Sequence, residues 1–77
     1  MYIPIRKVDD QEFHVDFSYG IDDQQDGVLR VQKATGDISI IRPVPGDERL
    51  TIYMRAARKM KQHWLKGEYP ESTCWAS

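Results

Sequence analysis

The chain has a single cysteine, Cys74, so no disulfide can close within it. No apolar run approaches the length that crosses a bilayer, and no basic start is followed by an apolar stretch. Neither a membrane span nor a signal peptide is therefore expected, and a reducing cytoplasm is the expected compartment. There is no glycine-rich loop of the kind that cradles phosphate, no internal repeat and no low-complexity segment. His14, His63 and Cys74 are not spaced as metal ligands, and no nucleophile, base and orienting residue fall into a recognisable motif. No cofactor is expected.

What remains is a small chain of ordinary composition. Its 77 residues are 40% apolar and 30% charged, which fits a folded domain and not a disordered segment. One domain spans residues 1–77, near the lower size limit for a core without staples. Pairing two copies is one way such a domain buries more apolar surface, so a homodimer is one expected assembly. The net charge of −1 hides an asymmetry. Residues 1–46 hold five Lys/Arg against eight Asp/Glu, while residues 47–77 hold six against four. Neither half is extreme enough to name a polyanionic partner.

The longest periodic stretch is Asp47–Gly67. At 100° per residue, Leu50, Tyr53, Met54, Ala56, Ala57, Met60, Trp64 and Leu65 share an arc about half the circumference wide. Asp47 is placed to accept hydrogen bonds at the start, Gly67 to permit the turn at the end, and Pro70 to stop continuation. The spacing predicts a helix over residues 48–66, roughly 28 Å long. Trp64 is the expected main contribution of that helix to the core.

Before it, residues 2–42 read as strands. Tyr2–Val8 carries Ile3 and Ile5 on one face, and Pro4 predicts an edge position or an unpaired first half. In Phe13–Tyr19, Phe13, Val15, Phe17 and Tyr19 alternate with His14, Asp16 and Ser18. A turn at Asp9–Gln11 would set Ile5 against Val15 and Ile3 against Phe17. Gly20–Asp26 reads as a flexible acidic loop. Gly27–Lys33 and Ile38–Arg42 then form a second hairpin, with Val31 opposite Ile40 and an even-numbered turn. The expected fold is a small α+β domain: an antiparallel meander of about four strands with one C-terminal amphipathic helix across one face. An apolar tail, residues 68–77, either folds Trp75 back over a sheet edge or presents it to a partner.

Three surfaces are candidates for function. Arg55, Arg58, Lys59 and Lys66 form a basic stripe on the helix, which could follow a phosphate backbone or simply keep the outer face solvated. His14, Asp16 and Arg30 share the outward face of the sheet with Arg6, Gln32, Ser39 and Ile41. A histidine two positions from an aspartate could orient an imidazole, but an open sheet face gives no concave, water-excluding site. Asp22, Gln24, Asp26 and Gly27 match the start of a calcium loop, yet Lys33 stands where its bidentate glutamate belongs. The expected reading is a mobile solvated connection, which could also serve as an acidic contact for a basic partner. These residues point to a protein-binding domain without catalysis, of accessory, inhibitor or immunity type. A nucleic-acid-binding module using the helix stripe is the alternative.

Overall fold

The computed structural model describes residues 1–21 and 24–76, and the side chains of all of these except 24 and 25. The alternating segments form β1 (Tyr2–Asp10), β2 (His14–Ile21), β3 (Gln24–Gln32) and β4 (Ile38–Arg42), followed by α1 (Thr51–Leu65) and β5 (Ser72–Ala76). The sheet is antiparallel in the order β4-β3-β2-β1-β5. The α+β class and the helix on one face are as expected, but there are five strands and not four. The tail supplies the fifth: Trp75 folds back, with Ile3 opposite Trp75 and Ile5 opposite Thr73. After β4, at one edge of the sheet, the chain crosses the apolar face as α1 and adds β5 at the other edge.

Pro4 explains how β1 is shared. Lys7 donates its N–H to the Glu71 carbonyl at 2.9 Å. Alternation from that bond turns the backbone groups of Ile3 and Ile5 toward β5, and those of Pro4 and Arg6 toward β2. Pro4 therefore costs β5 no donor, and the β1–β2 register runs from Ile5 onward. β1 is an interior strand, not an edge.

Each hairpin departs from the expected register. Ile5 faces Tyr19, not Val15, a slip of four residues that leaves every side chain on its face. Asp9 and Asp10 belong to β1, Val8 is bulged, and the turn is Gln11–His14, closed by Gln11 N–H to the His14 carbonyl at 2.9 Å. Phe13 thereby sits at the turn, 71% exposed, and is not in the core. The expected loop at Gly20–Asp26 is mostly hairpin, since Ile21 pairs with Gln24; Asp22 and Asp23 lie outside the described residues. Val31 faces Ile38, not Ile40, around a four-residue turn, Lys33–Gly36. The even turn length is as expected; its position is two residues earlier in the pairing.

The core joins Ile3, Ile5, Val15, Phe17, Tyr19, Leu29 and Val31 of the sheet to Ile52, Ala56 and Met60 of the helix. Ile52 lies outside the expected arc, whereas Met54 and Leu65, inside it, are 57% and 70% exposed. The helix is rolled by roughly 60° from the expected setting, taking 100° per residue. The fifth strand accounts for the roll, because it extends the apolar platform beyond β1 and the helix settles over it. α1 also starts later than expected. Leu50 precedes it in the left-handed region (φ 57°) and offers no side-chain cap. Asp47 instead reaches in from outside the helix, its two oxygens accepting the N–H groups of Ile52 (3.2 Å) and Tyr53 (3.1 Å).

Trp64 is half-buried at the margin of the core and not at its centre. Its indole N–H donates to the Lys33 carbonyl at 2.9 Å, and its ring lies over Gly36. The Lys61 ammonium donates to the Gly36 carbonyl at 3.0 Å and stands 4.7 Å from the Trp64 ring centroid. Tyr53 adds a hydroxyl bond to the Ile38 carbonyl at 3.2 Å. The helix thus grips the β3–β4 turn by its backbone. A Cβ at Gly36 would fall 2.6 Å from the Trp64 ring, at a φ of +77°. Gly36→Ala is expected to destabilise the fold by roughly 2–4 kcal/mol, combining left-handed strain with overpacking; urea unfolding measures it.

Tyr19 shows the opposite economy. Its ring crosses Gly27 of β3, and its hydroxyl is buried without a hydrogen bond. Burial, reinforced by the charges of Asp47 and Tyr53, pushes its pKa up to about 12, while the Val44 amide pulls the other way without closing a bond. The neutral phenol is the folded form, and an unfolded tyrosine ionises near 10. Stability from Tyr19 is therefore complete below pH ~10 and lost as pH rises through about 12. Tyr53, raised by burial, acts in the same direction. Tyr19→Phe is expected to leave neutral-pH stability unchanged or slightly higher and to flatten the alkaline fall in melting temperature.

Candidate functional site

Strand alternation sends Val15, Phe17 and Tyr19 into the core, so His14, Asp16 and Ser18 must face away from the helix. Register then sets their neighbours. Asp16 stands directly between Arg30 of β3 and Asp9 of β1. Arg30 grips it with two bonds, Nε to Oδ1 at 2.8 Å and Nη2 to Oδ2 at 3.1 Å. This fork–fork geometry fixes both side chains. Hydrogen bonding to Asp16, its largest influence, raises the Arg30 pKa, and the charges of Asp16 and Asp9 add to it. Two carboxylates facing each other across a strand pair repel; the guanidinium offsets that repulsion, and Asp16 is buried on a face that no other element covers.

His14, half-buried, completes a cluster. One ligand atom each from Asp9, His14 and Asp16 lies within 4.8 Å of the others. The donor set would suit a divalent cation, but both Asp16 oxygens are engaged by Arg30, and Asp9 Oδ1 accepts from Gln11 Nε2 at 2.8 Å. A cation would have to displace a bidentate guanidinium. Ser18, beyond Asp16 on the same face, donates its hydroxyl to the Arg6 carbonyl at 3.4 Å. The arrangement is a hydrogen-bonded polar patch centred on Asp16 and Arg30.

Next to it stand apolar groups in water: the bulged residues Val8 and Ile41 are 55% and 49% exposed, and Tyr2, at the far end of β1 on the same face, is 52% exposed. On the other side of the bulge, the acidic side chain of Asp10 is neutralised by lysines. Lys33 and Lys7 reach Asp10 at 2.9 and 3.4 Å, which holds its carboxyl below the usual range, and Lys7 also meets Glu71 at 3.4 Å.

The helix stripe lies on the opposite side of the sheet. Arg55 is partly committed: its guanidinium stacks 4.9 Å from the Trp75 ring centroid, and Nη1 donates to Met1 Sδ at 3.2 Å. Arg58 and Lys66 are exposed and Lys59 is half-buried. Among the described residues, no carboxylate lies within ion-pair distance of these four cations. Lys61, half-buried, donates to a backbone carbonyl.

The structure thus brings His14, Asp16 and Arg30 together, and separately joins Arg55 to Trp75; the two groups lie on opposite faces. Asp9 was not among the candidates from sequence, because its place beside Asp16 depends on the Val8 bulge. The edge formed by β5 was also missed, although Ser72–Ala76 holds no charge and contains β-favouring Thr73 and Trp75. No protein-family model, characterised protein or solved structure matches this chain.

Arg30→Ala is expected to lower the melting temperature by leaving Asp16 uncompensated, and Asp16→Asn in the same molecule to recover part of that loss. Zn²⁺ should raise the melting temperature of Arg30→Ala and leave the wild type unmoved. An equal shift in both would show that the guanidinium does not guard the carboxylate.

Proposed function

We propose that this chain is a protein-binding domain that works by occupying a partner's surface, as an accessory, inhibitor or immunity-type protein, and that the open sheet face is its contact. One observation carries this reading. Among the described residues, the face away from the helix is covered by no other element, and it holds the Arg30–Asp16 pair close to exposed Val8 and Ile41, with Tyr2 exposed at the far end of β1. Five strands about 4.8 Å apart and up to roughly 30 Å long present about 600 Å². That is close to the ~800 Å² per partner of an ordinary specific interface. Aromatic and arginine side chains are enriched in such contacts, and a pre-ordered strand surface loses little entropy on docking. Binding and not catalysis is our reading because both carboxylates beside His14 are already engaged, Asp16 by Arg30 and Asp9 by Gln11. No described helix is long and apolar enough to cross a membrane. Together with the lone thiol this supports a reducing, cytoplasmic setting in our reading.

The helix cations support a second reading, nucleic-acid binding through Arg55, Arg58, Lys59 and Lys66. Arg55 is partly spent on Trp75, and the net charge is −1, so protein remains the leading partner. A gel-shift assay over rising salt separates the two. Affinity that falls steeply with ionic strength would favour the second reading, and no binding at low salt would remove it.

For the leading reading, wild type, Val8→Glu/Ile41→Glu and Arg58→Glu/Lys66→Glu are immobilised in parallel and exposed to an extract of the source cells. A protein retained by the wild type and the helix variant, but lost by the face variant, is the expected outcome. Loss in the helix variant alone would place the contact on the wrong side.

A further inference from the structure

β4 and β5 are the two free edges of the sheet, and they differ in how they are defended. β4 is blunted. Ile41 is bulged, Arg42 folds onto the Asp26 carbonyl through Nε at 2.7 Å, and Pro43 ends the strand. These are devices that discourage pairing at an edge. β5 has none of them: its register with β1 is regular, and Ser72–Ala76 contains no charge and no proline.

The same alternation that turns Ile3 and Ile5 toward β5 directs the backbone groups of Thr73 and Trp75 back at β1. The N–H and C=O groups of Ser72, Cys74 and Ala76 therefore point outward along the edge. On the helix side this edge is overhung by nitrogen-bearing side chains of α1. Arg55 stacks on Trp75, and His63 Nε2 meets Thr73 Oγ1 at 3.0 Å. Arg55, Lys59 and His63 follow one another at four-residue spacing, so Lys59 stands on the same side of the helix between those two contacts. On the other side, Arg6 lies opposite Ser72 and is exposed. The carboxylates nearby in sequence, Glu68 and Glu71, already face His63 and Lys7.

We propose that the β5 edge receives an acidic extended segment of another protein as a sixth, antiparallel strand. Charge selects this occupant over a second copy of the chain. Two β5 edges paired antiparallel would bring Arg55 and Lys59 of one copy against those of the other. In an antiparallel pair, opposed residues share a face. Residues of the incoming strand that bond to Ser72, Cys74 and Ala76 thus point away from the helix. Those opposite Thr73 and Trp75 point toward it, and carboxylates at these alternate positions meet Arg55 and Lys59. The inference is independent of the open-face reading, since it uses another surface.

The test employs a blocked nine-residue peptide alternating glutamate and valine, followed by amide NMR and hydrogen exchange on the full chain. Expected are new protection of the Ser72 and Cys74 amides and shifts confined to β5 and α1. Methylating the peptide's valine nitrogens should abolish binding, whereas methylating its glutamate nitrogens should not, because only the valine N–H groups face β5. Lys59→Glu should weaken binding about fivefold, and a lysine–valine peptide should not bind. Cys74→Pro, which removes one outward donor at an edge position, should lose binding while keeping its melting transition. The inference is overturned by several results. These are no protection at millimolar peptide, equal binding of the lysine peptide, equal effects of both methylations, or protection of Cys74 that appears with protein concentration alone. Shifts at His14 and Arg30 in place of β5 would also overturn it, while leaving the open-face reading standing.

Discussion

The pairing of β5 with β1 is the constraint on which the remaining geometry rests. It makes β1 an interior strand despite Pro4, because the proline falls where β5 asks for no donor. It widens the apolar platform so that Thr73 and Trp75 lie under the helix, which meets them with His63 and Arg55. The roll of the helix then decides which residues meet water. Met54 and Leu65 are left outside, and Trp64 is moved from the centre of the core to its margin, where it holds the β3–β4 turn through Lys33 and Gly36.

The two faces of the sheet are consequently unlike in kind. The covered face is closed by apolar contact and by side-chain bonds to backbone carbonyls from Tyr53, Lys61 and Trp64. The open face is organised by electrostatics, with Arg30 holding Asp16 in a place where Asp9 would otherwise repel it. Polar residues at the middle of that face are buried by their own neighbours, while apolar ones stand exposed around them.

Period-two alternation assigned faces correctly from Val15 to Tyr19 and from Leu29 to Val31, because a register slip of two or four residues does not change them, but it put Phe13 in the core when Phe13 belongs to the turn. Register itself was not legible. It depended on a bulge at Val8 and on a turn whose closing bonds, Gln11 to His14, follow from no glycine or proline signal. The helix was legible in existence and in its end near Gly67, and Asp47 was correctly seen as an acceptor for its first turn. Its rotation was not, since the apolar arc alone cannot say how wide a sheet it will rest on. Of the candidate site, His14, Asp16 and Arg30 were legible as one surface. The fork between Arg30 and Asp16, and the approach of Asp9, required the three strands to be aligned.

Each of the three hairpins contains one irregularity in its register: between Lys7 and Asp9, between Tyr19 and Ile21, and between Val28 and Leu29. An extra residue on one strand of a pair sharpens its right-handed coiling. Three such insertions in a row increase the twist of the sheet, so the open face is coiled and not planar. A planar surface would touch it along one diagonal only, so the matching shape is itself warped, as another coiled ribbon or a pair of crossed rods would be.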